Sequence, residues 1–447
     1  MLPEPHRRRR ILRLALPIIA GMLSQSVLNL VDAALVGSLG EIALAGVGIG
    51  GYAMFMITAL VFGLSSAVQA QTAHFYGAEQ ASGHVRPLNA GLILGLAVSV
   101  PVTLMALWQA PLLVTLLNDS ADVQAVAVEY FRWRVLSLAA IAMTLCFRGY
   151  WNGIQQTGMY FRIILVVHVF NVLASIGLIF GHFGLPKMGA AGAGLGTTLS
   201  LFAGLLLWLF VSPRESRQAS VCGNLPPRRT LLATLVLAVP HSLQQLWFAA
   251  GYAVLFCLLG RIDTASVALG HVLINLSLLL ILPGVGLGVA AMSLVGEALG
   301  RDARHEAHRW GWDVLRVAWW CLAALALPML VVPERVLGIF LTDPEIIDMG
   351  LLPLRLTAVM IVLDAAALVL AQALLGAGAQ RTVMSLTLGM QWLVFLPLAW
   401  LVGVELGYGL LGVWWVQLGY RILNSAGFVL IWQRKRWVTR RLHSSVI

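Results

Sequence analysis

Charged side chains are scarce in this chain. Asp, Glu, Lys and Arg make up 11% of its 447 residues, whereas hydrophobic residues make up 60%. A soluble domain carries about 25% charged and about 45–50% apolar residues. The deficit excludes a soluble enzyme, a disordered chain and a secreted disulfide-stapled domain. Since roughly 20 apolar residues cross a bilayer, the length suits about a dozen transmembrane helices.

Motifs for metal, nucleotide or disulfide chemistry are also missing. The four cysteines stand alone, without a CxxC pair or a histidine at metal-ligand spacing, which indicates neither a zinc site nor a disulfide framework. Glycine strings such as Gly46–Gly51 lie inside apolar stretches, where small residues allow helices to pack closely. No GxxxxGK[ST] motif accompanies them, so we expect no nucleotide, no metal and no organic cofactor.

Twelve apolar stretches are predicted to cross the membrane. All should be helices, because long uninterrupted spans are typical of helices and a barrel would show short alternating strands. The predicted spans are 11–36, 43–73, 87–113, 125–149, 160–182, 189–212, 231–259, 266–296, 310–332, 349–375, 382–402 and 409–432.

The basic residues predict the orientation of these spans. With the N-terminus inside, 23 of the 29 Lys and Arg residues fall on the cytoplasmic side, including a C-terminal group counted from Arg421 to Arg441. The opposite side keeps Lys187, Arg261 and Arg335. The formal net charge of +10 is therefore interpreted as an orientation signal and an attraction to anionic membrane lipid, not as nucleic-acid binding.

An internal repeat relates the two halves of the chain. Leu14–Pro17 (LALP) recurs as Leu237–Pro240 (LAVP), an offset of 223 residues, and Gly63–Gly77 aligns with Gly286–Gly300 at the same offset. We therefore predict an N-lobe (1–212), a cytoplasmic linker (213–230) and a C-lobe with a basic tail (231–447). Six spans per lobe give a parallel repeat with a seam between the lobes, which is a transporter architecture.

Two acids lie deep within predicted spans, and each is a functional candidate because a charge in mid-membrane costs several kcal/mol. Asp32 lies late in the first span and Asp364 in the middle of the tenth. Neither is matched by an acid at the repeat position, so each half has its own. A structural, hydrogen-bonded carboxylate is the alternative interpretation for both.

Polar companions of these acids are few. Asn171 and Ser175 share a helix face at i and i+4, and the others are Asn29, His168, Thr197, Gln244 and Gln245. Pro17 and Pro240 occupy equivalent positions in the two halves and are the hinge candidates, with ordinary kinks as the alternative.

The chain resembles the multidrug and toxic compound extrusion (MATE) transporters over its full length. The similarity is carried by Leu14–Gly50 with its VDxxxVG around Asp32, by Asp364–Thr382, and by Gly189–Thr198. The resemblance implies an all-α membrane protein of twelve helices in two pseudo-symmetric lobes. It implies Asp32 as the N-lobe cation-linked carboxylate, with Asn171 and Thr197 as oxygen partners, and Asp364 as the C-lobe carboxylate.

The resemblance also implies a function: export of amphipathic, often cationic organic compounds in exchange for protons or sodium ions. The chain departs from both prokaryotic branches. Ser175 stands where DinF-type members often carry a second acid, and the seventh span lacks the NorM-type glutamate, having only Gln244 and Gln245. These departures favour protons. We expect a monomer in the bacterial inner membrane, with both termini cytoplasmic.

Two other functions stay open at this point. A flippase for lipid-linked saccharides belongs to the same superfamily, but its cavity would be more basic than the few intramembrane bases predicted here. An integral-membrane enzyme would need a local cluster of acids, bases or metal ligands at the membrane face, and the sequence shows none.

Overall fold

The structure is a computed structural model that describes residues 3–79, 83–212, 226–262, 264–341, 343–435 and 437. Every regular element within these ranges is a helix. In chain order they are α1 Pro5–Gly37, α2 Glu41–Gly77, α3 Arg86–Thr115, α4 Ala121–Val135, α5 Leu138–Gly153, α6 Thr157–Phe180, α7 Ala190–Val211, α8 Arg228–Gly260, α9 Thr264–Gly300, α10 Arg304–Val331, α11 Pro333–Leu337, α12 Pro344–Gly376, α13 Gln380–Leu388, a π-helix Gly389–Phe395, α14 Leu396–Trp400, a second π-helix Leu401–Glu405, and α15 Gly409–Gln433.

All twelve predicted spans coincide with helices. Ten helical segments in the described ranges are long and apolar enough to cross a membrane, and the bent pair α4–α5 would make eleven. The remaining helix, α15, is less apolar because Gln417, Arg421 and Asn424 lie along it. Most of the predicted linker, residues 213–225, lies outside the described residues.

The repeat is visible in the helix limits. Helix α1 runs from Pro5 to Gly37 and α8 from Arg228 to Gly260, so both ends differ by 223 residues. The same offset relates both ends of α2 to those of α9. It also relates the start of α4 and the end of α5 to the two ends of α12. An offset kept to the residue in several helices confirms the repeat.

Backbone conformation repeats as well. Glu79 and Asp302 both have φ 57°, and Gly184 and Gly407 have φ 74° and 71°, again 223 positions apart. Left-handed conformations are disfavoured for residues with a Cβ. Their recurrence at Glu79 and Asp302 shows that the turns after α2 and α9 have the same geometry.

One span is broken in the first half and continuous in the second. Helices α4 and α5 meet at a bend of 50°, whereas α12 continues through the equivalent position. At the bend, the Ser137 hydroxyl donates to the Arg134 carbonyl at 2.7 Å and the Ser137 amide donates to the same carbonyl at 3.2 Å. Serine side chains compete in this way with helical bonds. The repeat position is Met360, which has no such donor.

The eleventh span contains the two π-helical segments, separated by α14. Pro397 lies in α14, where it lacks the amide that a regular helix needs and its ring crowds the preceding turn. Such interruptions widen the helical turn locally and are frequent at functional sites.

The helices form two compact units. The N-unit comprises Ala20–Ser242, and the C-unit comprises the residues up to Ile19 together with those from Leu243 onward. The division therefore falls within α1 and within α8, two residues after Pro17 and two after Pro240. The predicted lobes, with limits at the linker, stay a prediction.

The N-unit is packed around aromatic residues. Trp208 is fully buried and stacks on Phe147 and Tyr160, with ring centroids 5.7 and 6.0 Å apart. The first part of α8 is attached to α2 by polar contacts. Ser66 Oγ and His241 Nδ1 lie 2.6 Å apart, and the Gly63 amide donates to Ser242 Oγ at 3.0 Å.

The C-unit has the larger apolar core. Ile11 and Leu14 of α1 are buried in it with residues of α8, α9, α10, α12 and α15. Two ion pairs also hold the start of α1 in this unit, because Arg7 Nε lies 2.5 Å from Asp313 Oδ2 and Arg10 Nη2 lies 2.5 Å from Glu297 Oε2.

Candidate functional site

A small apolar cluster marks one level of the N-unit. It consists of Val36 of α1, Tyr130 of α4, Ile179 of α6 and Ala193 of α7, all buried. Four helices therefore meet at this level, and the residues one turn away on each of them are neighbours in space.

The candidate residues lie one turn from that cluster. Asp32 and Ser175 precede their cluster residues by four positions, and Arg134 and Thr197 follow theirs by four. Residues at i and i+4 share a helix face. Consecutive spans alternate in direction, so α1 and α6 run opposite to α4 and α7. All four residues therefore fall on the same side of the cluster, and we call them the Asp32 layer.

Several oxygen atoms at this level are buried without a partner. Asp32 Oδ1, Ser175 Oγ and Asn171 Oδ1 accept no hydrogen bond from the described residues. Asn171 lies one turn from Ser175 on the same face of α6, and both side chains are 1% exposed. An unsatisfied buried polar group costs about 1–3 kcal/mol. A proton or a cation shared among these oxygens would remove that cost.

Helix α7 closes the layer at short range. The Thr197 hydroxyl donates to the Ala193 carbonyl at 2.9 Å, which leaves its oxygen lone pairs available. A Cβ at Gly196 would lie 3.0 Å from both the backbone nitrogen and Oγ of Ser175. The absent side chain thus lets α7 approach α6 beside the candidate oxygens.

His168 and Asn29 belong to a different chain of hydrogen bonds. His168 Nε2 lies 3.1 Å from Gln25 Oε1, and Gln25 Nε2 donates to Asn29 Oδ1 at 3.1 Å. Gln25 and Asn29 are exposed on α1. This chain links α6 to α1, and no printed contact joins it to the Asp32 carboxylate within the described part of the molecule.

Arg134 is the residue of this layer that the sequence analysis overlooked. It lies within electrostatic range of Asp32, and its Nη1 donates to Ser137 Oγ at 2.5 Å. Among the described residues no ion pair within 4.0 Å joins it to Asp32. The available signal was its position four residues after Tyr130, on the buried face of α4, whereas the neighbouring Arg132 is exposed.

Asp364 of the C-unit has a direct cationic partner. Its Oδ2 accepts a hydrogen bond from Nη1 of Arg421, and the two side chains are 4% and 14% exposed. The assignment of Arg421 to the cytoplasmic C-terminal group was therefore wrong. Arg421 lies in the middle of α15, and pairing with a buried carboxylate offsets the cost of placing it there.

Further bonds tie α15 to α12 around this ion pair. The Ser425 hydroxyl donates to the Leu363 carbonyl at 2.9 Å, and Trp414 Nε1 donates to Thr357 Oγ1 at 2.9 Å. The Asp364 carboxylate is thus neutralised by a residue of the protein, unlike that of Asp32.

The glutamines of α8 lie elsewhere in the C-unit. Gln244 Nε2 donates to Thr387 Oγ1 of α13 at 3.5 Å, a long contact, and its Oε1 is buried without a partner in the described ranges. Gln245 is half-buried. No hydrogen bond between described residues brings either glutamine to Asp364.

Two repeats of six membrane-spanning helices, with an acid in each, define a secondary transporter rather than an enzyme. The profile of the MatE family matches residues 17–176 and 240–401, and the chain belongs to this family of transporters. Twelve helices in two pseudo-symmetric lobes, as the sequence predicted, are the fold of its structural neighbours.

Individual relatives agree over nearly the whole chain. A probable multidrug resistance protein NorM of Pseudomonas aeruginosa is 26% identical over 97% of this chain and 90% of its own length. A protein of the same name from Brucella suis is 27% identical over 98% and 94%. The outward-facing structure of a multidrug resistance MATE family transporter matches with a TM-score of 0.87 at 23% identity, covering 97% of this chain and 96% of that one.

Proposed function

We propose that this transporter is a cation-coupled antiporter that exports amphipathic, cationic organic compounds by alternating access. The Asp32 layer is the observation that carries the proposal. It combines an intramembrane carboxylate with buried, unpartnered oxygens of Asn171 and Ser175. Binding of a cation there and binding of cargo would weaken each other, and this linkage is reciprocal.

Protons suit this layer better than sodium ions. A proton needs one carboxylate oxygen and one hydrogen-bond acceptor, and Asp32 with Asn171 supplies both. A bare sodium ion needs several oxygen ligands and gains from a second acid, but Ser175 occupies that position. We therefore propose one proton at Asp32 as the coupling ion.

The C-unit acid plays a different part in this proposal. Asp364 is already neutralised by Arg421, so we assign it a structural role and the coupling to Asp32 alone. This choice takes up the alternative interpretation that the sequence left open for Asp364.

The cargo follows from the relatives more than from the acids. The names of the Pseudomonas and Brucella proteins refer to multidrug resistance, which supports drug-like compounds. The scarcity of intramembrane bases was a weak argument against a saccharide flippase, because Arg134 and Arg421 accompany the two acids. Export of a cationic dye is therefore the decisive observation between these two functions.

Orientation and movement complete the proposal. The basic residues before and within the start of α1 favour a cytoplasmic N-terminus in a bacterial inner membrane, and we propose a monomer. Pro17 and Pro240 lie close to where α1 and α8 pass from one unit to the other. We propose both as hinges.

The test uses the purified protein in proteoliposomes loaded with a fluorescent organic cation. A pH gradient or a sodium gradient of equal size is imposed, and dye movement is followed. The proposal expects movement with the pH gradient in wild type and loss of that response in Asp32→Asn. The exposed Asp348→Asn is the matched control, because it removes an acid outside the spans.

Three results would overturn parts of the proposal. Wild-type transport by Asp32→Asn would remove the coupling role of this residue. A response to sodium alone would replace the proton. Absence of dye movement in wild type, with rescue of envelope-precursor export in a flippase-deficient strain, would replace the cargo.

A further inference from the structure

A cavity of about 830 Å³ lies at the start of α10 in the C-unit. Its lining comes from the turn after α9, the first two turns of α10 and Arg7 of α1. The lining residues are Arg7, Asp302, Ala303, Arg304, His305, Glu306 and Arg309. None of them belongs to the Asp32 layer or to the Asp364–Arg421 pair.

The helix start that faces this cavity is electropositive. No side chain caps the N-terminus of α10, so amide groups of its first turn keep their hydrogen-bonding capacity. Helix N-termini attract anions through these amides and the helix dipole. Helix α10 is 28 residues long, long enough for this effect to be fully developed.

Basic side chains outnumber acidic ones around the cavity. Three arginines and His305 face Asp302 and Glu306. The Arg309–Glu4 contact is 3.7 Å between two exposed side chains, and such surface pairs contribute little stability. Arg309 can therefore exchange this contact for a bound anion at small cost.

Arg7 supplies an independent indication of a ligand. The residue is 7% exposed, its Nε is bonded to Asp313, and its guanidinium carbon lies 3.6 Å from the Trp310 ring centroid. Its Nη2 is buried and has no hydrogen-bond partner within the described chain. A buried guanidinium nitrogen without an acceptor, in the wall of a cavity, indicates an anionic ligand.

Tryptophans around the start of α10 place the cavity at the depth of lipid headgroups. Trp312 Nε1 donates to His308 Nε2 at 3.3 Å, and Trp432 Nε1 donates to the His308 carbonyl at 3.4 Å. The Trp437 ring stacks on Trp432 with centroids 4.1 Å apart. Tryptophan is enriched at membrane–water interfaces, which is where phospholipid phosphates lie.

We propose that this cavity binds a phosphate group, presented by an acidic phospholipid headgroup or as free phosphate. Arg304, Arg309 and the first-turn amides of α10 would contact the phosphate oxygens, and Arg7 would donate from below. Basic pockets at the cytoplasmic ends of helices bind such headgroups in other membrane proteins. The inference is independent of the proposed antiport.

The unfolding temperature of the full-length protein in detergent micelles measures this binding. The probes are dioleoylphosphatidylglycerol, dioleoylphosphatidylcholine and inorganic phosphate, each titrated separately. The Arg304→Gln/Arg309→Gln variant removes two exposed cavity arginines. The matched control, Arg8→Gln/Arg9→Gln, removes two exposed arginines of the same region that do not line the cavity.

The expected result is a rise in unfolding temperature with phosphatidylglycerol but not with phosphatidylcholine. The apparent affinity should fall at least about tenfold in Arg304→Gln/Arg309→Gln and stay within about twofold of wild type in the control. An equal effect of inorganic phosphate would identify free phosphate as the ligand, and its absence would identify the lipid.

Two outcomes would overturn the proposal. Equal losses in both double variants would show general attraction of the basic surface to anions. Absence of any shift with phosphatidylglycerol and phosphate would show that the cavity binds neither, and native mass spectrometry of the same samples counts bound lipid directly.

Discussion

Arg421 and Asp364, 57 residues apart on α15 and α12, form a buried ion pair in the C-unit. The corresponding acid of the N-unit, Asp32, has an arginine within electrostatic range but no direct pair. The two intramembrane carboxylates therefore differ in kind. One is held by a fixed cation of the protein, and the other is available to a mobile one.

The ion pair predicts a pattern of stability. Asp364→Asn and Arg421→Gln should each lower the free energy of unfolding by about 3–5 kcal/mol, because each leaves a buried charge without its partner. The double variant should lose less than the sum. Chemical denaturation of the four proteins in detergent measures this coupling, and strictly additive losses would show that the pair is not a unit.

Transport by the same double variant separates a structural role of Asp364 from a coupling role. If Asp364 only holds α12 against α15, then Asp364→Asn/Arg421→Gln should retain dye transport driven by a pH gradient, within a few-fold of wild type. Loss of the response to the gradient, in a double variant that is folded, would assign a coupling ion to the C-unit as well.

A second acid in the Asp32 layer should change the preferred ion. Ser175→Asp places a carboxylate on the face of α6 that carries Asn171, and two carboxylates hold a sodium ion more strongly than one. Transport should then respond to a sodium gradient. Ser175→Asn is the uncharged control of equal size and should not respond; identical behaviour of both variants would contradict the assigned geometry.

Arg134 should weaken cation binding at Asp32 by repulsion. Arg134→Gln removes a positive charge from the layer, so transport should saturate at a smaller pH gradient than in wild type. The exposed Arg132→Gln removes the same charge two residues away and serves as the control. A shift of equal size in both variants would mean that surface charge, and not the layer, is responsible.

Gly196 should not tolerate a side chain. The Cβ of Gly196→Ala would lie 3.0 Å from Ser175, and overpacking of this kind costs roughly 1–3 kcal/mol. We expect a lower unfolding temperature together with reduced transport. Gly48→Ala of α2 has open space around its Cβ and should be neutral, so a harmless Gly196→Ala would contradict the close approach of α6 and α7.

The hinge prolines should affect rate more than stability. Pro17→Ala and Pro240→Ala each restore a helical hydrogen bond that proline cannot make, which stiffens α1 or α8 where they pass between units. Dye transport should slow in both variants while the unfolding temperature is kept or raised. Pro101→Ala of α3, a helix that lies within the N-unit, is the control and should leave the rate unchanged.

Much of the fold was predictable because it depends on one-dimensional patterns. The apolar stretches located all twelve spans, and the offset of 223 residues seen in Leu14–Pro17 and Leu237–Pro240 reappears in the limits of α1 and α8. The break between α4 and α5 was not predictable from hydropathy, since it depends on a hydrogen bond made by Ser137.

The candidate site was predictable only in part. The rarity of acids in spans identified Asp32 and Asp364, and helical spacing placed Asn171 and Ser175 on one face. The arginines were misjudged because a rule that counts charges by loop cannot see that Arg421 points at a carboxylate 57 residues away.

By itself, the sequence determined the class of protein, the number of spans and their repeat, since the cost of charge and exposed backbone in a membrane acts locally along the chain. Only the tertiary structure decided which side chains meet: Arg421 with Asp364, Arg134 near Asp32, and Arg7 with the start of α10. Those contacts join distant helices, and hydrophobicity reports only that a residue avoids water. Which partner a buried charge finds depends on the packing of several helices at once.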